Sequence, residues 1–298
     1  MLSKIAFFES GTRGFDLPAE RERVLAALRR HLNSDHGEAV VKPAQGGTLG
    51  VCFDAVIAGE RRFLKTHLPD TAARERLAGE AAILHRLHGD AVVQDRFELS
   101  LADGTGRLCL VMPAFTPLSA PLRPEVAAAM VEGWSAPLRA DGPDRPLHDL
   151  TPHLACARRA LTTLAGRGLL TSETAADVGA LIALLEDRLA SLPRALCHGD
   201  FGPNNVMLNG VTPIAIDWED AFSGVAGYDY LYWLTFMENR PFLHDAAFGR
   251  TGLVVEVERA ILVLAVLLKS YLAVLSGAYL THKVTAEARI AGILGLPG

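Results

Sequence analysis

The chain has 298 residues, half of them hydrophobic, and a formal net charge of −5. This length suits one large domain or two lobes of one catalytic unit, and the apolar fraction is enough for a sizeable core. The acidic balance argues against a nucleic-acid partner, which would favour a basic face. Four cysteines without CxxC spacing indicate free thiols in a reducing cytoplasm, and the first apolar run is too short for a signal peptide.

A glycine-rich segment, 45–50, precedes the first predicted strands. Backbone amides around Gly47 can approach phosphate groups closely, and Thr48 adds a hydroxyl donor. The segment is neither G-x-G-x-x-G nor a Walker loop, so an ordinary turn is the alternative. Because a lysine follows on a nearby strand, we expect this segment to cover the phosphates of a nucleotide.

The next elements are a predicted hairpin, with strands over 51–58 and 62–68, and a helix over 72–87. Lys65 lies on the second strand, where an exposed edge charge would be ordinary. Glu80 falls within the apolar stripe of the helix. Because a half-made buried ion pair costs about 3–5 kcal/mol, we expect Glu80 to pair with Lys65. The alternative is a Glu80 side chain that reaches solvent at the helix edge.

An apolar strand over 108–115 contains Pro113, after which the composition shifts toward helix. We place the boundary there, with an N-terminal nucleotide-binding lobe over 1–112 and a C-terminal catalytic and substrate-binding lobe over 113–298. Helical spacing of apolar residues makes the second lobe mainly helical, over 147–164, 173–192, 255–280 and 285–294.

Two features of the second lobe are interpreted as structural. The apolar stretch 261–280 is interrupted by Lys269, so we expect a buried core helix and no membrane partner. His148, His153 and His244 lack metal-ligand spacing and are expected at the surface or at helix caps.

The segment that starts at His198 has the spacing H-x-D-x4-N, with Asp200 and Asn205, and Asp217 follows after two apolar runs. Asn209-Gly210 between those runs predicts a tight hairpin, so Asn205 and Asp217 are expected at the same open end. Phosphoryl transfer needs a carboxylate to orient the attacking hydroxyl and oxygen ligands for magnesium. Each residue alone would be an ordinary turn former, but the combined spacing favours a nucleotide-dependent phosphotransferase.

This segment, with the acidic run around Asp229, resembles the aminoglycoside phosphotransferase and choline kinase superfamily, whose members are related to the protein kinases. The resemblance spans most of the chain. It implies that Asp200 is the catalytic base, that Asn205 and Asp217 bind Mg²⁺, and that His198 supports the catalytic loop. Asp229 would be structural.

The resemblance also implies an α+β, two-lobed protein-kinase-like fold, with a small antiparallel sheet and one key helix in the N-lobe and a larger, mainly helical C-lobe. Lys65 would bind phosphate and Glu80 would hold it in place. The carbonyl of Pro113 and the amide of Phe115 would contact the adenine of ATP, although GTP is an equal fit to the sequence. The alternative for Pro113 is a strand-ending proline without a ligand role.

These observations predict transfer of the γ-phosphate of ATP to a hydroxyl of a small molecule. A nucleotide-binding pseudokinase or scaffold and an atypical protein kinase are the alternatives. Only eleven residues separate Asp217 from Asp229, which is too few for an activation segment. Glu219, Asp220 and the aromatic residues that follow favour an amine-bearing acceptor, such as an aminoglycoside, amino sugar or amino alcohol, unless those rings pack the core. The oligomeric state is left open.

Overall fold

The computed structural model describes residues 1–10, 16–36, 39–44, 50–139, 147–281 and 283–298. The chain divides into two compact units. The first, called the helical unit here, comprises Met1–Ser10, Leu118–Val206 and Asp220–Gly298. The second, the sheet unit, comprises Gly11–Pro117 and Met207–Glu219. The predicted lobe boundary between residues 112 and 113 stays a prediction, whereas the units change at residues 117 and 118.

The strands and helices occur in groups along the chain. In chain order, the strands are β1 (Val40–Pro43), β2 (Gly50–Ile57), β3 (Glu60–His67), β4 (Asp95–Ser100), β5 (Gly106–Pro113), β6 (Thr116–Pro117), β7 (Arg194–Cys197), β8 (Val206–Asn209), β9 (Thr212–Ala215) and β10 (Phe222–Val225). The helices are α1 (Leu2–Glu9), α2 (Leu17–His36), α3 (Thr71–His88), α4 (Pro124–Arg139), α5 (Thr151–Gly166), α6 (Ser172–Arg188), α7 (Tyr228–Leu234), α8 (Arg240–Ala246), α9 (Val255–Ser276) and α10 (Ala286–Leu294).

The sheet unit contains a five-stranded antiparallel sheet with the order β1-β2-β3-β5-β4. The predicted hairpin is confirmed as β2 and β3, with a tight turn in which Ala58 and Gly59 both have positive φ. Lys65 pairs in register with Cys52 on one side and Leu110 on the other. It therefore lies on a central strand, and the edge-charge alternative is wrong.

Helix α3 packs against β3 and β5 and confirms the predicted helix over 72–87. Its N-cap, Asp70, accepts hydrogen bonds from the backbone amides of Ala72 and Ala73, which are among the donors that a helix start leaves unpaired. Leu77, Glu80 and neighbouring apolar residues form its buried face. Glu80 therefore lies on the buried face of α3, as its position within the apolar stripe predicted.

The hairpin predicted between Asn205 and Asp217 is confirmed as β8 and β9. Gly210 in its turn has φ 64°, a left-handed conformation that glycine adopts without strain. Strand β6 pairs with β8 and completes a three-stranded sheet. One residue, Ile216, separates the end of β9 from Asp217.

Helix α9 is the central element of the helical unit, and α1, α5, α6, α7 and α10 pack against it. By length and composition it is apolar enough to cross a bilayer, but 67% of its most apolar window is buried in the protein, as in a core helix. It ends at Gly277, whose φ of 79° stops the helix, so the predicted continuation to residue 280 is wrong. Similarly, α5 begins at Thr151 and not at residue 147, because Pro152 suits only the first turn of a helix.

Candidate active site

In the sheet unit, the ammonium group of Lys65 contacts three carboxylates. Its Nζ lies 2.7 Å from Oε2 of Glu80, 2.6 Å from Oδ1 of Asp217 and 2.8 Å from Oε1 of Glu219. Glu80 also accepts a hydrogen bond of 3.1 Å from the backbone amide of Asp217 through Oε1. The Lys65–Glu80 pair predicted from the sequence is therefore present. We call these four residues the lysine cluster.

Burial and charge act against each other within the lysine cluster. Burial raises the pKa of Glu80 to about 7, although Lys65 counters it. Burial alone would lower the pKa of Lys65, but the carboxylates, led by Asp217, raise it well above 10.5. One ammonium ion thus faces three acids. The cluster keeps a negative excess that a further cation could neutralise.

The donor atoms of the lysine cluster suit a divalent cation. Glu80, Asp217 and Glu219 each place a carboxylate oxygen within 4.8 Å of the others. Magnesium prefers such hard oxygen ligands. Asp217 has a φ of 67°, a left-handed conformation that is uncommon outside glycine and that clusters at functional sites. The residues present therefore fit the magnesium ion that the sequence analysis predicts for Asp217.

From the sequence, Glu219, Asp220 and the aromatic residues that follow favoured an amine-bearing acceptor. The structure pairs Glu219 with Lys65, a partner that the sequence did not predict. The sequence contains a signal for this contact, because Glu219 follows Asp217 by two residues. A short 3₁₀ turn over Trp218–Asp220 brings the two carboxylates close together. Sequence reasoning could not tell which cation the second acid would meet.

In the helical unit, both carboxylate oxygens of Asp200 accept hydrogen bonds from side chains. Lys4 on α1 donates to Oδ2 at 2.7 Å, and the hydroxyl of Tyr232 on α7 donates to Oδ1 at 2.5 Å. Burial would raise the pKa of Asp200, but the ammonium groups of Met1 and Lys4 outweigh it and lower the pKa below 3.8. Asp200 is therefore ionised at neutral pH and can accept a proton.

Asp229, at the start of α7, supports the backbone of the segment before Asp200. Its carboxylate accepts the amide N–H of His198 at 2.7 Å and that of Gly199 at 3.0 Å. Burial raises the pKa of Asp229 to about 7, and the two amide donors counter it. Gly199 has φ 80°, and a Cβ there would lie 2.2 Å from the carbonyl oxygen of Asp220. Only glycine fits this turn.

Two further contacts fix the segment that the sequence singles out. The amide N–H of Asp200 donates to Nδ1 of His198 at 3.3 Å, and the side-chain amide of Asn205 donates to the carbonyl of Asp200 at 2.8 Å. His198, Asp200 and Asn205 are thus brought together within the helical unit. Their catalytic and metal-binding roles remain predictions.

The acids and aromatic rings that suggested an amine site serve other purposes. Asp220 forms an ion pair with the ammonium group of Met1 and accepts two hydrogen bonds from Ser3. The aromatic side chains of α7 are buried, namely Tyr228, Tyr230, Tyr232 and Trp233. They pack the core of the helical unit, which is the alternative that the sequence left open.

The remaining predicted ligands have less structural context. Gly47 and Thr48 lie outside the described residues. Pro113 ends β5, where it pairs in register with Arg62, and Phe115 follows two residues later; both are half-buried. Their contact with adenine stays a prediction. His153 was expected at the surface or at a cap, but it is buried against Phe222.

Comparison with known proteins identifies the family. The sequence model of the phosphotransferase enzyme family matches residues 31–261. The chain therefore belongs to that family, and the family predicted from its motifs is confirmed. No curated protein matches the chain significantly.

Solved structures share the fold. Aminoglycoside phosphotransferase APH(4)-Ia superposes with a TM-score of 0.57 at 14% identity, covering 92% of this chain and 99% of that one. A choline kinase from Cryptosporidium parvum gives 0.58 at 12% identity, with 92% of each chain covered. The microcompartment-associated aminopropanol kinase gives 0.56 at 15% identity, covering 91% and 93%. These likenesses confirm the predicted α+β, protein-kinase-like fold.

Proposed function

We propose that the chain transfers the γ-phosphate of ATP to a hydroxyl group of a small molecule, with Asp200 as the base. The observation that carries this proposal is the position of Asp200, whose half-buried carboxylate accepts hydrogen bonds from Lys4 and Tyr232 and follows a segment held by Asp229. Phosphoryl transfer depends mainly on positioning and electrostatics, and this carboxylate is both positioned and charged. Family membership supports the reaction class.

Asp200 can receive an acceptor hydroxyl without losing its present partners. A carboxylate offers about four lone-pair sites, and Lys4 and Tyr232 occupy one on each oxygen. The hydroxyl would donate to a remaining site, which aligns its oxygen for attack on the γ-phosphorus. Its proton would pass to the carboxylate as the new P–O bond forms and the bond from the γ-phosphorus to the bridging oxygen breaks, which releases ADP. Tyr232 is buried and packed among other rings, so it fixes the carboxylate orientation.

The lysine cluster supports a role for the sheet unit in handling the triphosphate. Lys65 would contact phosphate oxygens, and Glu80 would hold its ammonium group in place. Asp217 and Glu219 would hold magnesium within the sheet unit, and the ion would neutralise phosphate charge. Solved structures of the neighbour APH(4)-Ia contain ADP or AMP-PNP together with hygromycin B, which supports a nucleotide donor. GTP remains an alternative donor.

Support for an amine-bearing acceptor is weaker than the sequence indicated. The names of the neighbours include choline, aminopropanol and an aminoglycoside, all of which carry a nitrogen that is cationic at neutral pH. However, Glu219 and Asp220 are already paired with Lys65 and Met1. The proposed function therefore requires a hydroxyl group on the acceptor and does not require an amine.

The test is Asp200→Asn, measured by ADP release over a panel of hydroxylated small molecules. We expect turnover to fall by at least about 100-fold while nucleotide affinity changes little, because a general base contributes that much to the rate. Asp177→Asn is the matched control, since Asp177 is an exposed acid on α6. Near-normal turnover of Asp200→Asn with an acceptor that wild type phosphorylates would exclude Asp200 as the base. Nucleotide binding without ADP release from any acceptor would favour the pseudokinase alternative.

A further inference from the structure

The helical unit contains a cavity of about 270 Å³ beside α8, α9 and α10. This volume lies just below the ~300–1,000 Å³ typical of small-molecule sites. Its walls are mainly apolar, with Leu243, Val266 and Ile293 among them. Arg240 and Arg289 also line it, and no carboxylate is among its described lining residues.

Two cations donate hydrogen bonds to Thr235, which lines the cavity. Nη2 of Arg289 donates to the carbonyl oxygen of Thr235 at 2.6 Å, and Nζ of Lys269 donates to its hydroxyl oxygen at 2.7 Å. Lys269 also lies 3.2 Å from the ring centroid of Phe236. Arg240 is exposed at the cavity edge.

In the part of the chain that the structure describes, these cations have no acid within ion-pair distance. Among the described residues, neither Arg240, Lys269 nor Arg289 forms an ion pair within 4.0 Å, whereas His244 in the same lining is paired with Asp245. Burial lowers the pKa of Arg289, and repulsion from Arg240 lowers it further. Burial also lowers the pKa of Lys269 well below 10.5, although the more distant carboxylates of Asp200 and Glu238 counter it. Half-buried cations such as Lys269 and Arg289 are stabilised by an anion.

The cavity lies next to the catalytic segment. Phe236 lines the cavity, and its ring contacts Gly202 so closely that a Cβ there would lie 2.3 Å from it. Gly202 is two residues from Asp200, which is about 7 Å of extended chain. Tyr232 makes a second link, because its hydroxyl binds Asp200 and its ring lies 3.8 Å from the ammonium group of Lys269.

We propose that this cavity binds the anionic end, a carboxylate or a phosphate, of an acceptor whose hydroxyl reaches Asp200. Arginine suits this role because its planar guanidinium can make two parallel hydrogen bonds to such a group. The apolar walls would enclose the carbon skeleton between the anion and the hydroxyl. This inference rests on the proposed function, and it replaces the amine expected from the sequence with a group of the opposite charge.

A matched series of linear alcohols tests the charge preference by calorimetry. The series is 6-hydroxyhexanoate, 6-hydroxyhexyl phosphate, 1,6-hexanediol and 6-amino-1-hexanol. A saturating non-hydrolysable ATP analogue keeps the anions away from the nucleotide site. We expect at least one anionic member to bind at least tenfold more tightly than the diol and the amino alcohol, and the better of the two identifies the anion. Equal binding, tighter binding of the amino alcohol, or no binding at all would overturn the proposal.

Charge-removing variants locate the binding. Arg240→Met and Arg289→Met should each weaken binding of the anionic probe by about tenfold and leave diol binding unchanged, because a hydrogen bond to a charged group is lost. Arg188→Met is the matched control, since Arg188 is an exposed arginine on α6 outside the cavity, and it should change nothing. Arg289→Lys keeps the positive charge and should keep the preference for the anionic probe over the diol. If Arg289→Met loses that preference and Arg289→Lys keeps it, the loss comes from the missing charge and not from a folding defect. Unchanged anion binding by the Arg240 and Arg289 variants would overturn the proposal.

ADP release over the same series separates this proposal from the proposed function. Anion-selective binding that needs both arginines, without ADP release from any probe, would support the cavity and count against the proposed function. ADP release that is fastest with the diol or the amino alcohol would support the phosphotransferase and overturn the anionic site.

Discussion

Replacing Lys65 with methionine should be the most destabilising single change in the lysine cluster. Only 8% of the Lys65 side chain is exposed, and it separates the carboxylates of Glu80, Asp217 and Glu219. Lys65→Met would leave three acids within 4.8 Å of one another without their shared cation. Removing one partner from a buried ion pair costs about 3–5 kcal/mol, and we expect a loss of unfolding free energy in that range.

Glu80→Gln should cost less. Lys65 keeps Asp217 and Glu219 as partners, and the glutamine oxygen can still accept the amide N–H of Asp217. The loss is then one charged hydrogen bond, about 1.5–3 kcal/mol, reduced by the relief of repulsion between acids. The double variant should lose less than the sum of the two single losses, because both changes remove the same interaction.

The assay is urea unfolding in the presence of a chelator, followed by repetition in millimolar magnesium. Magnesium should restore part of the stability of Lys65→Met, since a cation that binds the folded acids stabilises the native state. Lys42→Met is the matched control, because Lys42 is an exposed lysine on β1, and it should change stability by no more than about 0.5 kcal/mol. A Lys65→Met loss no larger than that of Lys42→Met, or strict additivity with Glu80→Gln, would refute this reasoning.

Substitutions at Asp217, Gly199 and His153 test three further features of the structure. Asp217→Ala should abolish the magnesium-dependent part of ATP binding, and ATP titrations with and without magnesium check this; a fully retained enhancement would show that Asp217 is no ligand. Gly199→Ala should lower the urea midpoint far more than Gly249→Ala. Both glycines have positive φ, but only at Gly199 would a Cβ clash with the carbonyl oxygen of Asp220. Equal effects would show that the clash adds nothing to the backbone strain. Burial lowers the pKa of His153 to about 3. Below pH 6.5 the unfolded chain therefore binds a proton that the native chain does not bind. The free energy of unfolding should then decrease as the pH is lowered, by up to about 1.4 kcal/mol per pH unit. His153→Phe should flatten stability curves between pH 6.5 and 5, and an unchanged slope would contradict the assignment.

The sequence by itself determined the features that depend on local patterns. The Asn-Gly and Gly-Glu turns predicted both hairpins, and the periodicity of α3 placed Glu80 on its buried face. The cost of a lone buried carboxylate then predicted Lys65 as its partner, which the structure bears out. The H-x-D-x4-N spacing around Asp200 was specific enough to predict the family. Each of these signals lies within a short stretch of chain, where turn chemistry, helix geometry or motif spacing leaves few alternatives.

Only the tertiary structure decided which charges meet. Glu219 and Asp220 are adjacent in the sequence, yet one binds Lys65 and the other binds the ammonium group of Met1. Lys4 reaches Asp200 across almost two hundred residues of chain, and no local pattern marks it. Likewise, the two arginines of the cavity come from α8 and α10, each of which has an ordinary helical sequence pattern. An ion pair depends on distance in space, whereas a sequence pattern reports distance along the chain, so the electrostatic partners of the site were fixed only when the helices packed.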